Sequence, residues 1–144
     1  MSYEVYVVAH DGDDDSVLDF AIERAKKVGA SVHVVHILEW SPYSFLTPEE
    51  IEERHARRTG ELDRAKDAII TPAIDRAKAA GVATVTSDLR YGSVPELVAD
   101  IAKDKGATLL FVGRSGGSAI SARVFGSVPI ALAQISAVPV VVVP

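Results

Sequence analysis

Apolar and polar positions along the chain switch repeatedly between a strand period and a helix period. Glu4–His10 (EVYVVAH) is rich in β-branched residues and predicts a first strand, closed by the polar run DGDDD. From Ser16 to Val28 the apolar Leu18, Ile22 and Ala25 fall on one helical face, with Ser16 and Asp19 as an expected capping pair and Gly29 as the closing residue. Ser31–Leu38 (SVHVVHIL) predicts a second strand, and Glu39–Leu46 a loop holding Trp40, Tyr43 and Phe45. Thr47-Pro48-Glu49-Glu50 is a helix start, with Thr47 as N-cap, Pro48 in the first position and Glu50 reaching back. That helix is expected to run to about Ala80, irregular near Gly60, with a kink or restart at Thr71-Pro72, and to end at Gly81. Val82–Arg90 predicts a third strand. Ser93-Val94-Pro95-Glu96 reads as a capping box opening a helix to Lys105. Thr108–Val112 (TLLFV) is continuously apolar, as a buried parallel strand should be. A glycine-bearing stretch, a helix at Val128–Ile135 and a strand at Pro139–Val143 complete the pattern.

Alternation of this kind implies an α/β fold: parallel strands joined by right-handed crossovers in a doubly wound open sheet. One domain over residues 1–144 is expected, since no repeat, low-complexity tract or linker interrupts the pattern. In such sheets ligands bind beyond the carboxyl ends of the strands, where the strand order reverses. With the order 3-2-1-4-5 the reversal lies between the first and fourth strands, and the residues just past them are Asp11 and Gly113.

Charge changes the picture at one place. The net charge is −5, yet no Asp or Glu occurs from Lys105 to the end, where Lys105, Arg114 and Arg123 stand alone. An acidic chain repels nucleic acid, whereas its one basic, acid-free segment suits a small anion. There is no cysteine, so disulfides and thiolate metal sites are excluded. No apolar run approaches the roughly 20 residues that span a bilayer, and the acidic N-terminus is unlike a signal peptide, so no membrane association and a cytoplasmic location are expected.

The segment after the fourth strand has the physics of a phosphate cradle. Two residues separate Gly113 from Gly116, nine more precede Gly126, and Ser127 enters a helix. Glycine lets backbone N–H groups approach an anion, and a helix N-terminus adds unpaired N–H groups and partial positive charge. The Ser127 hydroxyl can donate, and Arg114 and Arg123 add charge. A plain glycine turn between strand and helix is the bland alternative.

Gly113-x2-Gly116-x9-Gly126-Ser127 resembles the G-x2-G-x9-G-S/T signature of ATP-binding universal stress proteins. The resemblance covers the whole chain: Asp11-Gly12 after the first strand, His36-Ile37 ending the second, Gly92-x2-Pro95 and Val138-Pro139-Val140-Val141-Val142 all resemble family features. It implies a Rossmann-like, adenine nucleotide alpha hydrolase-like five-stranded parallel sheet in the order 3-2-1-4-5, with helices on both faces. It also implies a stress-response role and a homodimer through the last strand, Pro139–Val143. Carried over, Asp11 would contact ribose or adenine, and Ala9 and Ile37 would line the adenine pocket. Gly113, Gly116, Gly126 and Ser127 would hold the phosphates of ATP, with Arg114, Ser115 and Val128 beside them. Magnesium carried in with ATP would find Ser127 and Asp13 as its nearest protein groups. There are two departures. His10 stands where the family usually has a small or apolar residue, and would crowd or tune the adenine side. Thr108 replaces a common Asp, at a position expected to be structural.

Other features read more simply. DGDDD lacks EF-hand spacing and is a solvated acidic turn before a helix. His33 and His36, three apart on a strand, face opposite ways and make no metal pair. His55 and the mixed-charge run Glu52–Arg58 are solvated helix surface. The aromatic loop either folds over the ligand or anchors itself. The apolar edge at Pro139–Val143 invites pairing with a second copy. Three functions follow: a nucleotide-dependent regulator binding ATP, AMP or ADP; a slow ATPase or phosphotransfer enzyme, against which stand the missing Walker-type lysine and general base; or an interaction module whose loop is empty.

Overall fold

The computed structural model describes residues 4–39, 47–114 and 126–144. Five parallel strands, β1 (Val5–Ala9), β2 (Ser31–Glu39), β3 (Val85–Gly92), β4 (Leu109–Gly113) and β5 (Val140–Val143), form one sheet in the order β3-β2-β1-β4-β5. Between them lie α1 (Ser16–Val28), α2 (Pro48–Ala65), α3 (Thr71–Ala79), α4 (Val94–Asp104) and α5 (Ser127–Ile135). The alternation of each strand divides its apolar residues between two cores. Tyr6, Val8, Val32, Val34 and Phe111 pack with Leu18, Ile22, Ile70 and Ala73 on one face. Val7, Val35, Ile37, Leu110 and Val112 pack with Val98, Ile101 and Leu132 on the other. Both faces of the central strands are therefore covered, as parallel sheets require.

Several local expectations change. The Ser16–Asp19 cap pair does not form. Asp15 is the N-cap, the Ser16 amide donates to Asp14 Oδ1 at 2.7 Å, and the Asp19 carboxylate instead takes both ends of the Arg76 fork at 2.5 and 2.8 Å. A bidentate guanidinium outcompetes a cap because each of its bonds is charge-assisted. Thr47 does cap α2, accepting from the Glu50 amide at 3.2 Å, and Gly60 leaves that helix unbroken, since one glycine weakens a helix by only about 1 kcal/mol. The chain passes into α3 through one wide turn, Lys66–Ile70, in which the Thr71 amide donates to the Lys66 carbonyl five residues back. Pro72 follows directly. Its missing N–H and its ring exclude ordinary helical bonding to the preceding turn, and the wider turn accommodates both. Ser93 is the N-cap of α4, but its side chain makes no capping bond.

The third strand starts at Val85, three residues later than the apolar pattern predicts. Gly81 adopts φ +107°, its amide donates to Lys78, and the Val82 amide donates to Ala77. That pair of bonds closes α3 as a Schellman motif, and Val82 is its buried apolar residue rather than strand. At its other end β3 extends to Gly92, in register with Glu39. Thr108 precedes β4 and is structural: its backbone amide and its hydroxyl both donate to the Val5 carbonyl, at 2.8 and 3.1 Å.

Candidate functional site

Beyond the carboxyl ends of the strands, at the reversal between β1 and β4, lies a cleft of about 490 Å³. Of the residues singled out from the sequence, Ala9, His10, Asp11, Ile37, Gly113, Ser127 and Val128 all line it. They come from four elements, and the sheet register brings them together. Ala9 pairs with Val35, the Ile37 side chain is nearly buried two residues on, and Gly113 ends β4 beside Val143.

The ends of the glycine stretch are joined. The Arg114 amide donates to the Val143 carbonyl, and the Gly126 amide donates to the Arg114 carbonyl, each at 2.8 Å. Gly113 and Ser127 are thereby held at the same mouth, with Gly126 as N-cap of α5. The first turn of α5 supplies amides at Ser127 and Val128, while Pro129 has none. Gly126 and Arg114 lie next to the cleft without being among its described lining residues. Ser115, Gly116 and Arg123 lie outside the described residues, as do Trp40, Tyr43 and Phe45.

On the β1 side the DGDDD run is an ordered turn. Asp11 Oδ1 accepts from the amides of Asp13 and Asp14 at 2.9 and 3.2 Å, which shapes the entry into α1. Gly12 has φ +89°, where a side chain is strained, and a Cβ there would also press on the tip of Ile69 at 2.9 Å. Among the described residues no group of three or more His, Asp or Glu side chains could hold a metal ion. Asp11 Oδ1 and Asp14 Oδ1 already accept turn amides.

Two histidines share the wall. His33 and His36 do face opposite ways. His33 lies away from the cleft, with Nδ1 2.6 Å from Thr86 Oγ1 and Nε2 2.8 Å from Asp88. His36 lines the cleft, and its Nδ1 donates to the His10 carbonyl at 2.6 Å. His10 is 4% exposed at its side chain. Its Nε2 stands 3.9 Å from Asp15, and its Nδ1 is buried with no hydrogen-bond partner. Burial holds the His10 pKa below its ordinary 6.5, with Asp11 and Asp15 pulling the other way and His36 adding to the depression.

The sequence reading left His36 out of the site, along with Val17, Val35, Glu39, Val94, Val98, Val112 and Pro129. For His36 the signal was present: it follows Val35 as His10 follows Ala9, the register partner of Val35. For Val94 and Val98 it was not, because their place over the cleft depends on how α4 packs.

A parallel sheet in this order with a cleft at its reversal is a doubly wound, Rossmann-like α/β fold. The model of the universal stress protein family matches residues 2–144, and the chain belongs to that family. Universal stress protein UspA from Lactobacillus plantarum shares the fold at a TM-score of 0.85 and 20% identity, over 100% of this chain and 99% of that one. A universal stress protein solved in complex with cAMP is 28% identical, with a TM-score of 0.68 over 99% and 98% of the two chains. The universal stress protein from Archaeoglobus fulgidus in complex with dAMP is 26% identical, with a TM-score of 0.67 over the full length of both. No described helix is long and apolar enough to cross a membrane.

Proposed function

We propose that this chain is a nucleotide-dependent regulatory protein of the cytoplasm, a single domain that binds ATP in the cleft between β1 and β4. The observation that carries the reading is the closure of the glycine stretch: Gly113 and Ser127 sit at one mouth, opposite Asp11 and Ile37, around one volume of about 490 Å³. The adenine lies between Ala9 and Ile37, Asp11 meets the ribose or base, and the phosphates take the amides of Gly113, Gly116, Gly126 and Ser127, with Arg114, Ser115 and Val128 flanking. Magnesium arrives bridged to the phosphates rather than in a site preformed by carboxylates. The relatives holding cAMP and dAMP support an adenine nucleotide as the ligand class. The experiment is to purify the protein without added nucleotide, denature it and identify what is released by mass spectrometry. ATP near one per chain supports a binder, and ADP with phosphate turnover a slow ATPase. No release together with no binding on titration contradicts the site.

A homodimer through β5 is the second part of the reading. β5 is an edge strand whose Val140, Val141 and Val142 are only half-buried, and neighbouring α5 exposes Ile130 and Ile135. Val141→Glu is expected to give monomers by sedimentation, and an unchanged dimer removes β5 from the interface.

A further inference from the structure

The cleft wall carries an electrostatic contradiction that the nucleotide reading leaves open. Asp11, Asp13, Asp14 and Glu39 line it, and no Lys or Arg is among its described lining residues. Among the described residues, an anionic ligand entering there meets carboxylates on one side and backbone amides of Gly113 and the first turn of α5 on the other. Among the described lining residues, the groups able to become cationic are His10 and His36.

Their geometry distinguishes them. Tyr6, Val8, Val32 and Val34 occupy one face of β1 and β2, and His10 and His36 continue that row toward the cleft. The His10 backbone is fixed by its amide, which donates to the Val35 carbonyl at 2.8 Å. A carbonyl can only accept, so the bond from His36 Nδ1 to the His10 carbonyl assigns the proton of His36 to Nδ1. His36 is thereby oriented by protein. His10 is not. One of its nitrogens is 3.9 Å from Asp15, beyond hydrogen-bond reach, and the other is buried without a partner. A buried polar atom of this kind is disfavoured until something bonds it, and the ring that carries it is part of the cleft wall.

Resting on the nucleotide reading above, we infer that His10 is the proton-responsive contact of this cleft: its imidazolium pairs with an anionic adenine nucleotide, so that ligand binding and proton uptake at His10 strengthen each other. The groups facing it are Asp11, Asp13 and Asp14 of the turn, Asp15 at the start of α1, and His36 of β2. Arg76 of α3 reaches Asp15 at 3.5 Å and weakens that carboxylate's hold on His10. Without ligand, burial and His36 keep the ring neutral near pH 7. An anionic nucleotide in the same cleft, with its base beside His10 and its phosphates at the Gly113–Ser127 mouth, shifts that balance toward the cation, and by reciprocity the cation tightens nucleotide binding.

The probe is cAMP, whose single phosphodiester charge does not titrate in this range, so any pH dependence belongs to the protein. Calorimetric titrations between about pH 5.5 and 7.5 should show affinity rising as pH falls, by about tenfold for each unit by which binding raises the His10 midpoint. His10→Asn should flatten that profile, and His55→Asn, on the exposed side of α2 and outside the described lining of the cleft, should leave it in place. Because a variant at a buried position can misfold, the His10 ring is also followed by NMR in the unaltered protein, with its midpoint expected to rise on adding cAMP. Binding with a pH-independent affinity, a profile that survives His10→Asn, or a His10 midpoint unmoved by bound cAMP overturns the inference and leaves the nucleotide site standing. If neither cAMP nor ATP binds at any pH, the nucleotide site falls and the inference with it.

Discussion

His33 and His10 are both almost fully buried on the sheet, and burial lowers the pKa of both, yet they belong to different kinds of structure. His33, nearer the amino ends of the strands, is bonded at both nitrogens by Thr86 and Asp88 of the neighbouring strand. It is a satisfied polar tie between β2 and β3. His10, at the carboxyl ends, has one nitrogen unpartnered on the wall of the cleft. The same residue type at the same burial is structural at one pole and poised for a ligand at the other. What separates them is the accounting of hydrogen bonds, not the depth.

The largest expected effect at the cleft pole is on binding. Gly116→Val places a branched side chain in the proposed phosphate cradle. Losing two charge-assisted bonds at about 1.5–3 kcal/mol each weakens ATP binding by about a hundredfold or more, at about 1.4 kcal/mol per tenfold. Urea unfolding should show the variant near wild-type stability, and unchanged binding would move the site elsewhere. At the opposite pole, His33→Leu strands Thr86 and part of Asp88 and is expected to lower unfolding stability by about 1–3 kcal/mol. His10→Leu removes a ring with no hydrogen bond to lose, only a 3.9 Å approach to Asp15, and its cost should stay under about 1 kcal/mol. Equal losses for the two variants would erase the distinction. Gly12→Ala tests the turn beneath the cleft. A side chain at φ +89° costs about 1–2 kcal/mol, and its contact with Ile69 adds to that.

Acidity gives the smallest effect and the finest separation. Both histidines are held below 6.5 in the folded chain, so the unfolded chain binds more protons just below that pH. Stability is therefore full above about pH 6.5 and falls as pH drops through the lowered values. His33→Leu and His10→Leu should each flatten part of that slope. An adenine nucleotide should reduce the share belonging to His10 and leave that of His33 unchanged. Thermal melts across pH 5 to 8, with and without cAMP, resolve the two.

Much of the fold was legible because a buried parallel strand and an amphipathic helix write different periods. β1, β2, β4, β5 and α1 lie within two residues of their expected positions at either end. The misses have local causes. Val82 looks like strand because the C-terminal position of a Schellman motif also wants a buried apolar residue. At Thr71-Pro72 the expected kink or restart takes the form of a restart: α3 begins at Thr71, after a wide turn that the sequence does not announce. Asp19 looked like a capping acid but answers Arg76, a partner 57 residues away that no local pattern reveals. For the site, the order of strands turned Asp11 and Gly113 from separate turn residues into two sides of one cleft. His36 was set aside as half of an unworkable metal pair, although the same alternation that separated it from His33 placed it beside His10.

The central claim is that the cleft between β1 and β4 holds an adenine nucleotide. Its most direct measurement is isothermal titration of ATP into the nucleotide-stripped protein, with Gly116→Val in parallel. Saturable binding near one ATP per chain, lost in the variant while its fold persists, is the expected result. No binding by the stripped protein, or equal binding by both, would contradict it.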